Sequence, residues 1–317
     1  MSRYLLGRTI ALVLTAFAAS LVVFVAMAVL PGDPAAIILG TGARPDTLAA
    51  LRAEMGLDQP VVWRYLDWIG GFVVGDFGTS YTYSVPVADL IAQRVAVSLP
   101  LAMLALVLST LIAIPVGVFA ASRRGRAADV ATMGVAQVGV AVPNFWLGLM
   151  LVLVFSLGLG WLPASGFPGW EAGLRAGLEA LILPAFALAL PQAAILARVT
   201  RSSVIETLGE DFIRTARAKG LSGEAALWRH AVPNALIPVV TIMGLQFSFL
   251  LAGTIIIENV FTLPGLGRLV FQAIAQRDLV TVQSLVTLLA ISVIVVNFLV
   301  DLAYAALDPR LSRGGAR

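Results

Sequence analysis

The chain has 317 residues, 59% of them apolar and only 12% charged, with a formal net charge of +3. A soluble domain carries about 25% charged residues, so this composition belongs to an integral membrane protein. No cysteine and a single histidine, His230, exclude disulfides, thiolate chemistry and multi-histidine metal sites. The lone lysine, Lys219, is followed by Gly220, and no Gly-Lys-Ser/Thr string occurs, so the chain has no Walker-type phosphate loop.

A membrane-spanning helix needs roughly 20 apolar residues to cross about 30 Å of hydrocarbon. Six such runs occur. The first is Thr9–Gly32. Its basic start and small residues around Ala16–Ser20 partly resemble a secretory signal, but the apolar run continues through Leu30, which favours an uncleaved helix. The second is Val95–Ser122. The third is placed at Gln137–Leu159, inside the longer uncharged stretch Val130–Trp170. The fourth, Ala180–Ala197, reads as interrupted by Pro184 and Pro191. Ala235–Ile257 and Val282–Val300 complete the set.

The segment between the first and second runs, Pro31–Arg94, is too long for a simple connector. Pro45–Gly56 reads as a short helix with Asp46 capping its start and Gly56 its end. Trp63, Tyr65 and Trp68 follow, residues suited to a membrane–water interface. This segment reads both as a structural cap and as a docking platform for an extracytoplasmic partner.

Arginine and lysine placement orients the chain. With six spans, the side that holds both termini carries fourteen basic residues and the other side seven. Both termini and the polar loop after the fourth span are therefore expected in the cytoplasm.

That loop, Asp211–Pro238, is a polar interruption near the centre of the chain, between long apolar runs, and carries four basic residues and the only histidine. Phe212, Ile213 and Ala216 can share one side of a short helix while Arg214 and Arg217 project elsewhere. Glu210 and Asp211 suit the positive helix end, Arg217 and Lys219 the negative end. Gly220 stands where a left-handed residue ends a helix. Ser222 is positioned to cap a second short helix, Gly223–Ala231, which Pro233 is expected to separate from the fifth span.

Arg214-Thr215-Ala216, three residues, Gly220, nine residues, then His230-Ala231-Val232-Pro233 resembles the EAA motif of ABC importer permeases. Ala216, Gly220 and Pro233 match that pattern and Val232 is close. Arg214, Thr215 and His230 depart from it, in the way the peptide and nickel branch departs. Proline, glycine and aromatic strings along the chain are similar to the same dipeptide, oligopeptide and nickel permease family: PGDPA, GDFGTS, PNFWLG, GWLPASG, ENVFTLPGLG and the closing VDLAYAALDPR.

The resemblance implies an all-α membrane protein with six transmembrane helices, the type I ABC importer permease fold, and a periplasmic loop subdomain after the first helix. It divides the chain into an N-terminal span (1–32), an extracytoplasmic subdomain (33–94), a five-span permease core (95–307) and a cytoplasmic tail (308–317). It implies that the segment 211–233, with Arg214, Thr215, Ala216, Arg217, Gly220 and Pro233, docks on a separate ATPase. The expected partners are two ABC ATPase subunits, a second homologous permease, an extracytoplasmic substrate-binding protein and membrane lipid, with no nucleic acid. ATP and Mg are expected on the ATPases, and no cofactor or metal on this chain. The substrate class implied is di- or oligopeptides or a related solute such as nickel.

Uncharged polar residues inside the spans fit hydrogen bonds between helices, worth about 0.6 kcal/mol each. Gln246, Ser248 and Asn297 are the candidates for lining a solute pathway, since the fifth span lines it in that family. Asp301 is the only acid expected to adjoin the last span, at the cytoplasmic interface and without a proton-relay role. The spans are expected to bury no charge. That counts against the alternative, an ion-gradient-driven secondary transporter built around a buried ion site. An intramembrane enzyme lacks candidate chemistry.

Overall fold

The computed structural model describes residues 2–29, 33–40 and 43–307. The 308–317 tail, with Arg310, Arg313 and Arg317, and the Pro31-Gly32 start of the PGDPA string lie outside the described residues. Among those described, the secondary structure is helical apart from one isolated bridge between Thr79 and Pro86.

Thirteen α-helices follow in chain order. They are α1 (Ser2–Val29), α2 (Pro34–Leu39), α3 (Pro45–Glu54), α4 (Val61–Val74), α5 (Val87–Ser122), α6 (Ala127–Ala141) and α7 (Asn144–Leu151). After them come α8 (Leu174–Leu208), α9 (Asp211–Ala218), α10 (Gly223–Ala226), α11 (Val232–Val260), α12 (Leu266–Ala275) and α13 (Leu279–Leu307). Five helical stretches are long and apolar enough to cross a membrane: α1, α5, α8, the continuous Gly223–Val260 and α13. The bent pair α6 and α7, the latter extended by a π-helical turn, Val152–Gly158, makes a sixth crossing if the two count as one broken span.

That pair corrects the third expected span. Gln137–Leu159 straddles a break of 100° between α6 and α7. Val142 is extended (φ −79°, ψ 124°) and precedes Pro143, as the clash between a proline ring and the preceding residue requires. Hydropathy alone does not register such a break. The fourth span is corrected the opposite way: α8 runs unbroken for 35 residues through Pro184 and Pro191. Both prolines sit in a run of buried alanines and leucines, and a spanning helix tolerates proline where it is packed against protein.

The helices sort into two compact units. One comprises Ser98–Pro264 and α13 from Val296; the other comprises the chain from Ser2 to Val97 and Gly265–Val295. The core of the first is the crossing of α5, α8 and α11, where Ala113, Ala193, Leu196, Ala197 and Val239 are buried together. Small residues let the backbones close. A Cβ on Gly117 of α5 would lie 2.6 Å from both the Ala197 carbonyl oxygen and Thr200 Cβ of α8. Gly117→Leu should therefore force the helices apart and cost about 1–3 kcal/mol, as overpacking does. A thermal-unfolding series of Gly117→Ala and Gly117→Leu checks this, with the larger side chain expected to lower the midpoint more.

In the second unit, Val87, Leu90 and Ile91 of α5 pack with Leu266, Leu269 and Val270 of α12 and Leu285 of α13. Asp278, 1% exposed, precedes α13 and accepts hydrogen bonds from Thr281 N–H (3.3 Å) and Thr281 Oγ1 (2.8 Å). The Ser80 hydroxyl donates to the same carboxylate, tying the turn before α5 to the start of α13. The expectation that Asp301 is the only acid adjoining the last span is thus corrected. The predicted cap of α3 is corrected too. Arg44 occupies the N-cap position without a side-chain bond, and Asp46 sits in the first turn, paired with Arg44 at 3.2 Å. Pro45 takes the first helical position, where its missing N–H has no cost. Gly56 does adopt a left-handed conformation, with φ +65°.

Candidate functional site

Two residues, Gly209 and Glu210, separate the end of α8 from α9. The eight-residue α9 carries Asp211 in its first turn and Arg217 in its last, matching the helix dipole at both ends. It ends as the sequence predicts: Gly220 has φ +94°, a conformation open to glycine and strained for other residues. Gly220 N–H donates to Arg217 O (3.0 Å) and Leu221 N–H to Ala216 O (3.2 Å). These two bonds make a Schellman terminus, which satisfies the last carbonyls of the helix. Ser222 then caps α10, its hydroxyl accepting from Ala225 N–H at 3.2 Å.

Apolar residues anchor this segment. Ile213, 1% exposed, packs in one cluster with Val118 and Ala121 of α5, Val204 of α8, and Ala226, Leu227, Ala231, Val232 and Ala235. Leu221 packs against the same cluster. The expected sharing of one face is only partly realised. Ile213 is buried and Ala216 half-buried, but Phe212 is 44% exposed. Arg214, Thr215, Arg217, Lys219 and Arg229 are exposed, as is Trp228. The result is a basic surface interleaved with two aromatic rings on a fixed base. Arg214 leans on Asp211 at 2.8 Å, and Thr215 Oγ1 donates to Asp211 O at 3.0 Å.

Pro233 does not separate a second short helix from the fifth span. A π-helical turn, Leu227–Ala231, joins α10 to α11, and Pro233 lies in the first turn of α11, exposed. Its fixed φ fits a helix, and the π-helical turn before it is where the regular hydrogen-bond register already changes. The continuous helical path into α11 therefore starts at Gly223, and the docking candidates of α9 reach it through the Gly220 turn.

The three pathway candidates do not form one group. Gln246 of α11 is buried and its Nε2 donates to Gln192 O of α8 at 2.9 Å. Its Oε1 is buried without a hydrogen-bond partner among the described residues. Ser248, also on α11, instead donates to Asn297 Oδ1 of α13 at 3.1 Å.

The spans are not free of buried charge, which corrects a further expectation. Glu258 near the end of α11 is fully buried and accepts from the Ser98 hydroxyl of α5. Asp129 in the first turn of α6 is 2% exposed. Arg201 of α8 grips it with both Nε (2.6 Å) and Nη2 (2.7 Å), and Gly125 N–H donates at 2.9 Å. Sequence reasoning counted Arg201 as a topology charge and passed over Asp129 and Glu258, because each lies just beyond an uncharged run. An acid flanked by apolar residues at a span's end was the available signal. Among the described residues no cluster of three His, Asp or Glu side chains is placed to hold a metal ion.

These features define a class: a polytopic, all-helical membrane protein with a short basic segment anchored beneath a helical bundle. Residues 113–313 match the family of binding-protein-dependent transport system inner membrane components, and residues 1–102 match the N-terminal region of such components. A protein of Brucella suis biovar 1 named as a peptide transport system permease is 44% identical over 292 residues, 92% of this chain and 93% of its own. The glutathione transport system permease GsiC of Escherichia coli K12 is 40% identical over 311 residues, 98% and 99% of the two chains. Two solved structures share the fold. An amino acid ABC transporter with histidines has TM-score 0.52 and 17% identity, over 69% of this chain and 94% of that one. The methionine ABC transporter MetNI, inward facing, has TM-score 0.54 and 18% identity, over 69% and 96%.

The chain belongs to the binding-protein-dependent transport system inner membrane component family. It is the non-catalytic permease subunit of an ABC importer in the inner membrane. The family works with an ATPase and a substrate-binding protein.

Proposed function

We propose that this permease imports short peptides or peptide-like solutes, coupled to ATP hydrolysis on two partner ATPases. Support for the substrate comes from the full-length similarity to permeases named for peptide and glutathione transport. Peptide nickel chelates belong to the same chemical range.

The segment 211–233 is the docking element. The observation that carries this is its division of labour. Ile213 and Leu221 hold it to the ends of α5 and α8 and to the start of α11. Phe212, Arg214, Thr215, Arg217 and Trp228 stay exposed for a partner. Gly220 sets the turn and Pro233 starts the span. Closure of the two ATPases on ATP would draw two such segments together, one from this chain and one from a second homologous permease. Because the path from α10 into α11 is continuous, that movement reaches the bundle as helix motion. The α11 bonds, Gln246 to Gln192 and Ser248 to Asn297, then have to break and re-form, which makes these residues the candidates for lining the pathway. Substrate arrives from the extracytoplasmic binding protein. ATP and Mg bind on the ATPases, since this chain has no phosphate loop. The arginine distribution puts both termini and the docking segment in the cytoplasm.

Uptake of a labelled dipeptide into cells carrying the complete system tests this reading. Uptake should persist with a protonophore when ATP is maintained and stop on ATP depletion. The reverse pattern supports an ion-gradient-driven transporter and overturns the proposal. The purified subunit alone should hydrolyse no ATP.

A further inference from the structure

Within the unit that contains α1 and α4, a cavity of about 420 Å³ lies among the end of α1, the 55–59 turn, α4, Tyr81 and the start of α13. It is large enough for a small ligand. Two opposite charges line it from one helix face, Arg64 and Asp67 of α4, three residues apart. Neither side chain takes part in a salt bridge or hydrogen bond among the described residues. The indole Nε1–H of Trp68, also lining the cavity, is buried and has no acceptor among the described residues. Gln59 and Gln283 add two carboxamides. Burial and the nearby Asp278 carboxylate push the Tyr81 hydroxyl up to about 12, so it stays a donor at any physiological pH. Unpaired charges of both signs plus an unmatched donor fit a ligand that is itself doubly charged.

The position of the cavity says what kind of ligand. Phe24 and Met27 of α1 form part of its wall. They lie five and two residues before the end of α1 at Val29, within about 8 Å of it at 1.5 Å per residue. For a helix that spans the bilayer, that is the headgroup level. The helix α4 is held alongside α1 by a buried hydrogen bond between Tyr65 and Ser20 at 2.8 Å and by Tyr65 against the Phe17 and Phe24 rings. Ser20 lies nine residues below the end of α1, about 14 Å deep. Facing away from these contacts, α4 exposes Val62, Leu66 and Val73, at 67%, 47% and 79%. On α1, Val22 and Val25 are exposed as well.

We propose that this cavity binds the zwitterionic headgroup of an aminophospholipid, with Arg64 taking the phosphate, Asp67 the primary ammonium, and the acyl chains lying along α4. An ammonium with N–H donors is required, because a carboxylate binds most strongly through charge-assisted hydrogen bonds. Assignment to the outer leaflet rests on the topology proposed above. Binding does not, so failure of one is distinguishable from failure of the other.

The test is native mass spectrometry of the full chain with its partners, purified in detergent and titrated with phosphatidylethanolamine, phosphatidylcholine or phosphatidylglycerol. A free dipeptide serves as the soluble zwitterion. Phosphatidylethanolamine should be retained at least five-fold better than phosphatidylcholine, whose ammonium has no N–H. Arg64→Gln and Asp67→Asn should each remove that preference, and Asp67→Glu should keep it. Equal retention of the two lipids by the unaltered protein overturns the proposal, whether or not the variants fold. So does unchanged phosphatidylethanolamine retention in the Arg64→Gln/Asp67→Asn variant, or displacement of the lipid by dipeptide at equal concentration.

Discussion

Replacing Gly220 with tryptophan should leave membrane insertion intact and abolish both ATPase co-purification and substrate uptake. A Cβ at this position meets nothing within 4 Å, so the effect does not come from a clash inside the chain. It comes from φ +94°, where an ordinary L-residue is disfavoured by about 1–2 kcal/mol, a factor of roughly 5–30 in the population of the turn. Two bonds hang on this turn, Gly220 N–H to Arg217 O and Leu221 N–H to Ala216 O. Losing it frees Leu221 from the cluster that also holds Ile213, and an eight-residue helix has little stability of its own. The large indole also projects from the face proposed to meet the ATPase. A graded series separates the two causes. Gly220→Asn tolerates the left-handed conformation and should keep most activity. Gly220→Ala should lose part of it by strain alone, and Gly220→Trp all of it. Membrane fractionation, ATPase pull-down and uptake are the measurements. Full transport in the tryptophan variant would remove the docking assignment.

The same residue shows what was legible in the sequence. Gly220 and Ser222 announce themselves because helix ends depend on local chemistry that a few residues carry, a left-handed glycine and a hydroxyl acceptor. The six crossings were legible for a related reason, since long apolar runs have few other uses. What stayed hidden depends on three dimensions. Pro143 and Pro184 look alike in sequence, yet one sits in a 100° break and the other inside a continuous helix. Pro184 is buried among small residues of α8, the packed setting in which a spanning helix tolerates proline. Pro233 was read as a separator because the π-helical turn before it, Leu227–Ala231, leaves no compositional trace. Glu258 and Asp129 were invisible as buried groups, because their partners Ser98 and Arg201 lie 160 and 72 residues away in the chain. Only packing brings them together.

The second large effect is expected at that last pair. Arg201 of α8 meets Asp129 with two parallel hydrogen bonds of 2.6 and 2.7 Å, the geometry that gives guanidinium–carboxylate pairs their strength and direction. Asp129 also accepts from Gly125 N–H, so one carboxylate ties the α5–α6 turn to α8. Ten residues after Arg201, the chain enters α9. A pull on the docking segment is therefore delivered through this pair to α6, the first half of the bent crossing. Asp129→Leu leaves a half-buried guanidinium without its carboxylate, and Arg201→Leu strands a buried carboxylate. Each should reduce uptake at least ten-fold, because removing one member of a buried pair leaves the other uncompensated. Asp129→Leu/Arg201→Leu together should recover thermal stability, since well-packed apolar replacements of both partners are often neutral. It should not recover uptake, because the directional link between α8 and α6 is still missing. Arg201→Lys keeps the charge but loses the fork, and should show near-normal stability with weakened transport. Thermal unfolding and uptake measured on all four variants decide between a purely structural pair and a transmitting one. Recovery of both quantities in the double variant assigns the pair to stability alone, whereas recovery of stability without uptake assigns it to transmission between the docking segment and the bent crossing.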